Sequence, residues 1–137
     1  MYVVVNKCYG GFSLSVKGQM TYCEKKYGQA YLYKLDEERG RGMVTQVPHT
    51  DDCTSTLDYY ISPEDHKGTV ALDDINCIWN WDIERTDPAL VATVRELGEE
   101  ANGNYADLEI VEIPDDVKWY IEDYDGMESI HENHRVW

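Results

Sequence analysis

Basic residues are scarce in this chain of 137 residues, which has 12 lysines and arginines against 27 aspartates and glutamates and a formal net charge of −15. A field of that sign repels nucleic acid phosphates and anionic lipid headgroups at long range. The charge therefore excludes non-specific coating of DNA or RNA and docking on an anionic membrane. A pocket for a small anion stays possible, because a few arginine side chains and backbone N–H groups can reverse the field locally.

Long apolar runs and paired cysteines are missing as well. No segment approaches the roughly 18 apolar residues of a membrane helix, and residues 1–5 lack the long hydrophobic region of a secretion signal. The cysteines are widely spaced and form no C-x-x-C pair, which disfavours a zinc site; they are Cys8, Cys23, Cys53 and Cys77. We therefore expect a soluble, intracellular protein with reduced thiols.

Known catalytic and metal-binding motifs are also absent. The chain has no G-x-S-x-G nucleophile motif and no G-x-x-x-x-G-K-[ST] phosphate loop. His131 and His134 could share a metal only on a helix, and their H-E-x-H spacing is followed by no third ligand. Residues 123–128 resemble half a calcium loop but fail its spacing, so a turn explains them better. We predict no catalytic centre, no metal site and no cofactor.

Aromatic residues are abundant, with 11 tyrosines and 4 tryptophans beside a single phenylalanine. This content excludes a disordered chain, and the length predicts one domain with one modest core. The succession of patterns favours the α+β class, as a single domain over residues 1–137 with a mainly antiparallel sheet and two helices packed on it. Residues 36–75 give the weakest signal and are predicted to be rich in loops.

Two segments have helical patterns. The first is capped by Ser13 or Ser15 and ended by Gly28. Its apolar stripe consists of Val16, Met20, Cys23 and Tyr27. The second begins at Asp87-Pro88, where aspartate suits the N-cap and proline the first helical position, and is predicted to end at Asn102-Gly103.

Strands are predicted from short apolar or alternating runs at residues 1–6, 30–35, 43–47, 57–61, 108–113 and 117–122. Residues 108–113 are apolar on both faces, which predicts an interior strand. Asp125-Gly126 indicates a turn. Gly10-Gly11 predicts positive φ and a close backbone approach, in a tight connection or in a small anion-binding nest. Of these two, the connection is favoured.

Three stretches together resemble a known family. The first is VVNKCYGGFSLS at 4–15. The second joins DPALV at 87–91 to ELGEEANG at 96–103. The third runs from LEIVEIPDDV at 108–117 through YDG at 124–126 to ENHRVW at 132–137. This set resembles the type-one anti-Thoeris proteins, a family of small phage and prophage proteins. The resemblance covers about half of the chain and leaves out residues 36–85.

The resemblance implies a phage-encoded sponge in the cytoplasm of the infected bacterial host. Such a protein binds a cyclic ADP-ribose isomer, and in some members a cyclic oligonucleotide at a separate site, and holds it intact so that bacterial defence is not triggered. It also implies a dimer-based homo-oligomer, with a hexamer as one form. The ligand-binding residues it suggests are Asn6, Lys7, Phe12 and Arg135, with Trp119 and Tyr120 as stacking surfaces.

Two alternatives stay open. A hydrolase that cleaves such a nucleotide would use His131, His134 and Glu128. An acidic inhibitor would bind a protein through carboxylates that imitate nucleic acid, as the net charge of −15 suggests.

Overall fold

The computed structural model describes residues 1–48 and 59–132. Within these ranges lie two α-helices and eight strands, joined by turns and short 3-10 segments. In chain order they are β1 (Tyr2–Asn6), α1 (Val16–Tyr27), β2 (Tyr31–Leu35), β3 (Met43–Val47), β4 (Tyr59–Ser62), β5 (Thr69–Ala71), α2 (Pro88–Leu97), β6 (Leu108–Glu112), β7 (Trp119–Tyr124) and β8 (Met127–Glu132).

The strands form three antiparallel sheets, with the orders β4-β2-β3-β5, β1-β6 and β7-β8. The predicted α+β class with two helices and antiparallel pairing is confirmed, although the strands do not form one common sheet. The prediction of an interior strand at 108–113 is wrong. In the part of the chain described, β6 pairs with β1 alone, and the apolar face that carries Leu108 and Ile110 packs against the core beside α2.

The sequence predicts residues 36–75 to be rich in loops, with strands at 43–47 and 57–61; β3 matches the first of these strands and β4 begins within the second. Strands β3, β4 and β5 lie there and make up three of the four strands of the largest sheet. Their pattern is weak because β5 has only three residues, and its pairing with β3 uses a polar contact of 2.8 Å between the hydroxyls of Thr45 and Thr69. The predicted turn at 50–56 and the first residues of the predicted strand at 57–61 lie outside the described residues.

Helix α1 has the predicted ends and a different buried face. The Ser15 hydroxyl accepts a hydrogen bond from the Gly18 amide, and Gly28 ends the helix with φ of 84°. Tyr27, a member of the predicted stripe, is 51% exposed, whereas Tyr22 is 2% exposed. The stripe prediction fails at Tyr27 because α1 lies between two cores. Tyr22 packs in the core of α2 and β1, and Cys23 packs in a second core against β2 and β4.

Helix α2 begins as predicted and ends earlier. The Asp87 carboxylate caps it by accepting from the Ala89 amide at 2.9 Å, and Pro88 occupies the first turn. The helix stops at Leu97 because Gly98 adopts φ of 58°, and a short 3-10 segment leads on to Ala101. The predicted end at Asn102-Gly103 is therefore wrong by one turn.

The Gly10-Gly11 pair packs directly on the β7–β8 hairpin. Asp125 and Gly126 turn the hairpin with φ of 50° and 90°, the sign pattern of a type I′ turn. The Gly10 amide donates to the Asp125 carbonyl at 3.1 Å. The predicted close backbone approach is confirmed, and that Gly10 donor is already used inside the protein, which supports the tight connection over the anion nest.

Replacing Gly126 with alanine is expected to lower the free energy of unfolding by about 2–5 kcal/mol. Positive φ contributes roughly 1–2 kcal/mol, and steric overlap adds about 1–3 kcal/mol, because the new Cβ would lie 2.6 Å from the Gly10 nitrogen. Gly28→Ala is the control, since Gly28 has φ of 84° and nothing within 4 Å of its added Cβ. If urea unfolding gives the same decrease in the free energy of unfolding for both variants, the packing of Gly126 against Gly10 is contradicted.

Candidate binding site

Asn6, a predicted ligand residue, is completely buried at the end of β1. Its Nδ2 donates to the carbonyls of Cys8 and Gly126 at 2.8 and 2.7 Å. Its Oδ1 accepts from the amides of Cys8 and Asp107 at 3.3 and 2.8 Å. These bonds use both amide protons and both lone pairs. Asn6 therefore ties three segments together, and a direct ligand contact would require one of the four bonds to break.

Phe12 lies beside a buried ion pair between Arg85 and Glu128. The two guanidinium NH groups of Arg85 bind the two carboxylate oxygens of Glu128, whose side chain is 5% exposed. Glu128 Oε1 also accepts from the Asn6 amide at 2.8 Å. The Arg85 Cζ lies 3.7 Å from the centre of the Phe12 ring, so a cation already occupies one face of that ring. Glu128, which the hydrolase alternative needs, is engaged in structural bonds.

The remaining predicted ligand residues are not brought together. Lys7 is half-buried, and its backbone amide donates to the Asp107 carbonyl at 2.7 Å. Trp119 and Tyr120 are neighbours in β7 and therefore point to opposite faces. Tyr120 is 47% exposed and stacks on His131 at a ring separation of 5.5 Å. Arg135 lies outside the described residues.

His131 has neighbours that imitate a catalytic triad in composition only. The Ser129 hydroxyl and a Glu122 carboxylate oxygen lie 2.8 and 3.0 Å from the same ring nitrogen, Nε2. A serine–histidine relay needs the hydroxyl and the carboxylate on different nitrogens, so that the acid orients the ring while the base accepts the proton. His131 also lies on strand β8, where the helical metal geometry cannot form, and His134 is outside the described residues. Among the described residues, no group of three potential ligands could hold a metal ion.

A cleft of about 240 Å³ lies between β4 and the segment that precedes α2. Its walls are mainly aromatic, and we call it the aromatic cleft; it is lined by Gln19, Tyr59, Tyr60, Ile78, Trp79, Asn80 and Trp81. The rings of Trp79 and Trp81 stack at 5.0 Å with an interplanar angle of 10°. Tyr60 meets Trp79 edge-on at 5.9 Å. Trp81 is 77% exposed, so a large aromatic surface faces solvent.

Specific hydrogen bonds hold this cleft in place. The Ile78 amide donates to the Ile61 carbonyl at 2.7 Å, which attaches the segment to β4. The Asn80 side chain accepts from the Leu14 amide at 3.1 Å, and Ile78 packs against both cores beside α1. A 3-10 turn at Asn80–Asp82 then places the two tryptophans on one side. Analysis of the sequence missed this site, for which the pattern W-N-W at 79–81 is the one available signal.

A second, smaller cavity of about 140 Å³ shares Ile78 and Trp79 with the aromatic cleft and contains Lys26 and Asp82. Lys26 Nζ donates to Asp87 Oδ2 at 2.8 Å and to the Tyr22 hydroxyl at 3.1 Å. These two hydrogen bonds raise the pKa of Lys26 above its ordinary value. The ammonium group is therefore charged at neutral pH and keeps one further N–H to donate.

The pKa values of Asp87 and Tyr22 are also shifted within this cluster. Burial raises the pKa of Tyr22 to about 12. Burial alone would also raise the pKa of Asp87, but hydrogen bonds from Lys26, the Ala89 amide and Tyr22 outweigh it and lower that pKa. The cluster is thus a neutralised ion pair with a protonated tyrosine, and it joins the start of α2 to the end of α1.

Comparison with known proteins found no match: no protein-family model, no curated protein and no solved structure matches the chain. The resemblance to the anti-Thoeris family stays a prediction. Among the described residues, neither helix is long and apolar enough to cross a membrane.

The Asp87 charge is expected to stabilise the fold at neutral pH and to lose this effect in acid. A carboxyl whose pKa is lowered in the folded state contributes stability above its unfolded pKa of about 3.9 and loses it as the pH falls through the folded value. Asp87→Asn removes the charge and keeps a good cap. At pH 7 the free energy of unfolding of the variant should be lower than that of wild type by about 0.5–1 kcal/mol. This difference should disappear as the pH falls below about 4. A loss that persists at pH 2 would assign the effect to cap geometry.

Proposed function

We propose that this chain binds and sequesters a nucleotide of the cyclic ADP-ribose type, and that the adenine ring lies in the aromatic cleft. The observation that carries the proposal is the stacked pair of Trp79 and Trp81, with Tyr60 edge-on beside it and the outer ring 77% exposed. Aromatic side chains bind nucleobases by stacking, which contributes about 1–3 kcal/mol per base. The stacking surfaces suggested from the sequence, Trp119 and Tyr120, face opposite ways and support this role less well.

The size of the cleft fits a base and leaves the rest of the ligand outside it. A volume of about 240 Å³ is below the roughly 300–1,000 Å³ of pockets that enclose whole small molecules. The smaller cavity, which shares Trp79 with the aromatic cleft, offers the free N–H of Lys26 to a phosphate. Because Lys26 is already paired with Asp87, further donors would come from a second copy of the chain in the proposed homo-oligomer.

Retention without cleavage is the mode of action that the cleft lining supports. The two amide side chains in the lining already serve the fold, since Gln19 Nε2 donates to the Leu14 carbonyl at 3.1 Å and Asn80 accepts from the Leu14 amide. The described lining residues of the aromatic cleft include no carboxylate, histidine or cysteine, so a general base would have to come from the smaller cavity, whose lining includes Asp82. Tight binding requires aromatic faces and fixed donors, whereas hydrolysis would need a general base near the ligand.

A cationic organic ligand is the second candidate for the same cleft. None of its described lining residues is a lysine or an arginine, and the chain carries a net charge of −15. A quaternary ammonium group bound among aromatic rings gains cation–π attraction and is drawn by that field. Choline therefore belongs in every ligand panel as the representative of this class.

Trp81→Ala is the variant that tests the proposed cleft. Wild-type protein should melt at a temperature several degrees higher with one cyclic ADP-ribose isomer at about a hundred times its dissociation constant, and heat should release that isomer unchanged. Removal of the stacking ring should weaken binding by about 5- to 150-fold, measured by calorimetric titration. Trp81 is 77% exposed, so its loss should leave the unfolding midpoint almost unchanged.

The matched control is Tyr105→Ala, which removes a ring that is 73% exposed and lies outside the cleft. Equal binding by wild type and both variants would show that the ligand does not use the aromatic cleft. Recovery of a linear product would identify a hydrolase. A rise in melting temperature with choline, without a rise for any nucleotide, would show that the cleft binds a cationic ligand.

A further inference from the structure

A second groove, of about 360 Å³, lies between the start of β1 and helix α2. We call it the Arg95 groove; its lining consists of Met1, Tyr2, Thr86, Pro88, Val91, Ala92 and Arg95. It shares no lining residue with the aromatic cleft. Its volume falls within the range of sites that take small molecules.

The groove contains a guanidinium group that stacks on an aromatic ring. Arg95 Cζ lies 4.9 Å from the centre of the Tyr2 ring. Arg39 and Arg85 each pair with a carboxylate, whereas Arg95 has no such partner within 4.0 Å among the described residues. The guanidinium lies over the ring, and without a carboxylate partner among the described residues its N–H groups are available to bind a carboxylate through two parallel hydrogen bonds.

The other charges at the groove are the ammonium group of Met1 and the carboxylate of Glu112. The ammonium group of Met1 is bound to Asp115 at 2.6 Å and to the Ile113 carbonyl at 3.0 Å. Glu112 lies opposite Tyr2 in the β1–β6 register and forms no ion pair with Arg95 within the described structure. The groove therefore presents one available positive charge to a ligand.

The rest of the wall is apolar apart from Thr86. Val91 is 7% exposed and forms the floor, and Pro88 and Ala92 lie one turn apart from each other on the same helix. One cation beside an apolar wall suits a ligand with a single negative charge and a compact apolar body, because each part then finds its complement. We propose that the Arg95 groove binds an organic monocarboxylate of this kind, such as an arylacetate or a branched short-chain acid.

Titration with phenylacetate, followed through backbone amide shifts in NMR, tests this site. The shifts should saturate and should concentrate at Tyr2 and along α2. Arg95→Gln should weaken binding by about tenfold or more, since it removes a charge-assisted bidentate contact. Arg41→Gln is the matched control, because Arg41 is also exposed and lies in a turn outside the groove.

Two further measurements make the outcome decisive. Phenylacetamide keeps the shape and loses the charge, so it should bind at least tenfold more weakly than phenylacetate. Trp81→Ala should bind phenylacetate as wild type does, which separates this site from the proposed nucleotide site. The proposal is overturned if the shifts do not saturate, if the amide binds as well as the acid, or if Arg95→Gln and Arg41→Gln behave alike.

Discussion

The ion pair between Arg85 and Glu128 joins segments that no sheet connects. Glu128 belongs to the β7–β8 hairpin, which forms a sheet of its own, and a hairpin of two strands is marginal in isolation. Its carboxylate binds Arg85 and the Asn6 amide, while the Arg85 carbonyl accepts from the Val4 amide at 2.9 Å. The hairpin, β1 and the chain entering α2 therefore share one buried charged junction. Burial makes that junction stable only while every member has its partner.

The start of each helix and the end of α1 follow from the sequence because they depend on neighbouring residues alone, whereas α2 ends at Leu97, one turn before the predicted residues. A serine or aspartate cap and a glycine stop act within one turn, and the hairpin at Asp125-Gly126 is equally local. The buried face of α1 is different. Tyr22 and Tyr27 both suit an apolar stripe, and the choice depends on a second core that α1 meets from its other side. The grouping of eight strands into three sheets likewise depends on contacts between distant residues.

The candidate site likewise depends on contacts between distant residues. Asn6 and Phe12 are suggested as ligand residues by the family resemblance alone, and the structure places both at the buried junction, where they serve the fold. The aromatic cleft has no periodic pattern to reveal it. Trp81 lies in a 3-10 turn of three residues that Trp79 precedes, and the position of the cleft depends on a bond between Asn80 and the Leu14 amide, 66 residues apart. Such a site can be found only after the chain is folded.

The charge of −15 disfavours an anion at both proposed sites, so each site has to supply a short-range attraction. In the aromatic cleft, where no described lining residue is basic, the field of the chain repels a nucleotide diphosphate, and stacking supplies the attraction. In the Arg95 groove, a direct contact with the guanidinium attracts the carboxylate. Salt screens charges beyond about 8 Å at physiological ionic strength. Added salt therefore relieves the long-range repulsion at both sites, whereas the contacts with the tryptophan rings and with the Arg95 guanidinium act at shorter range.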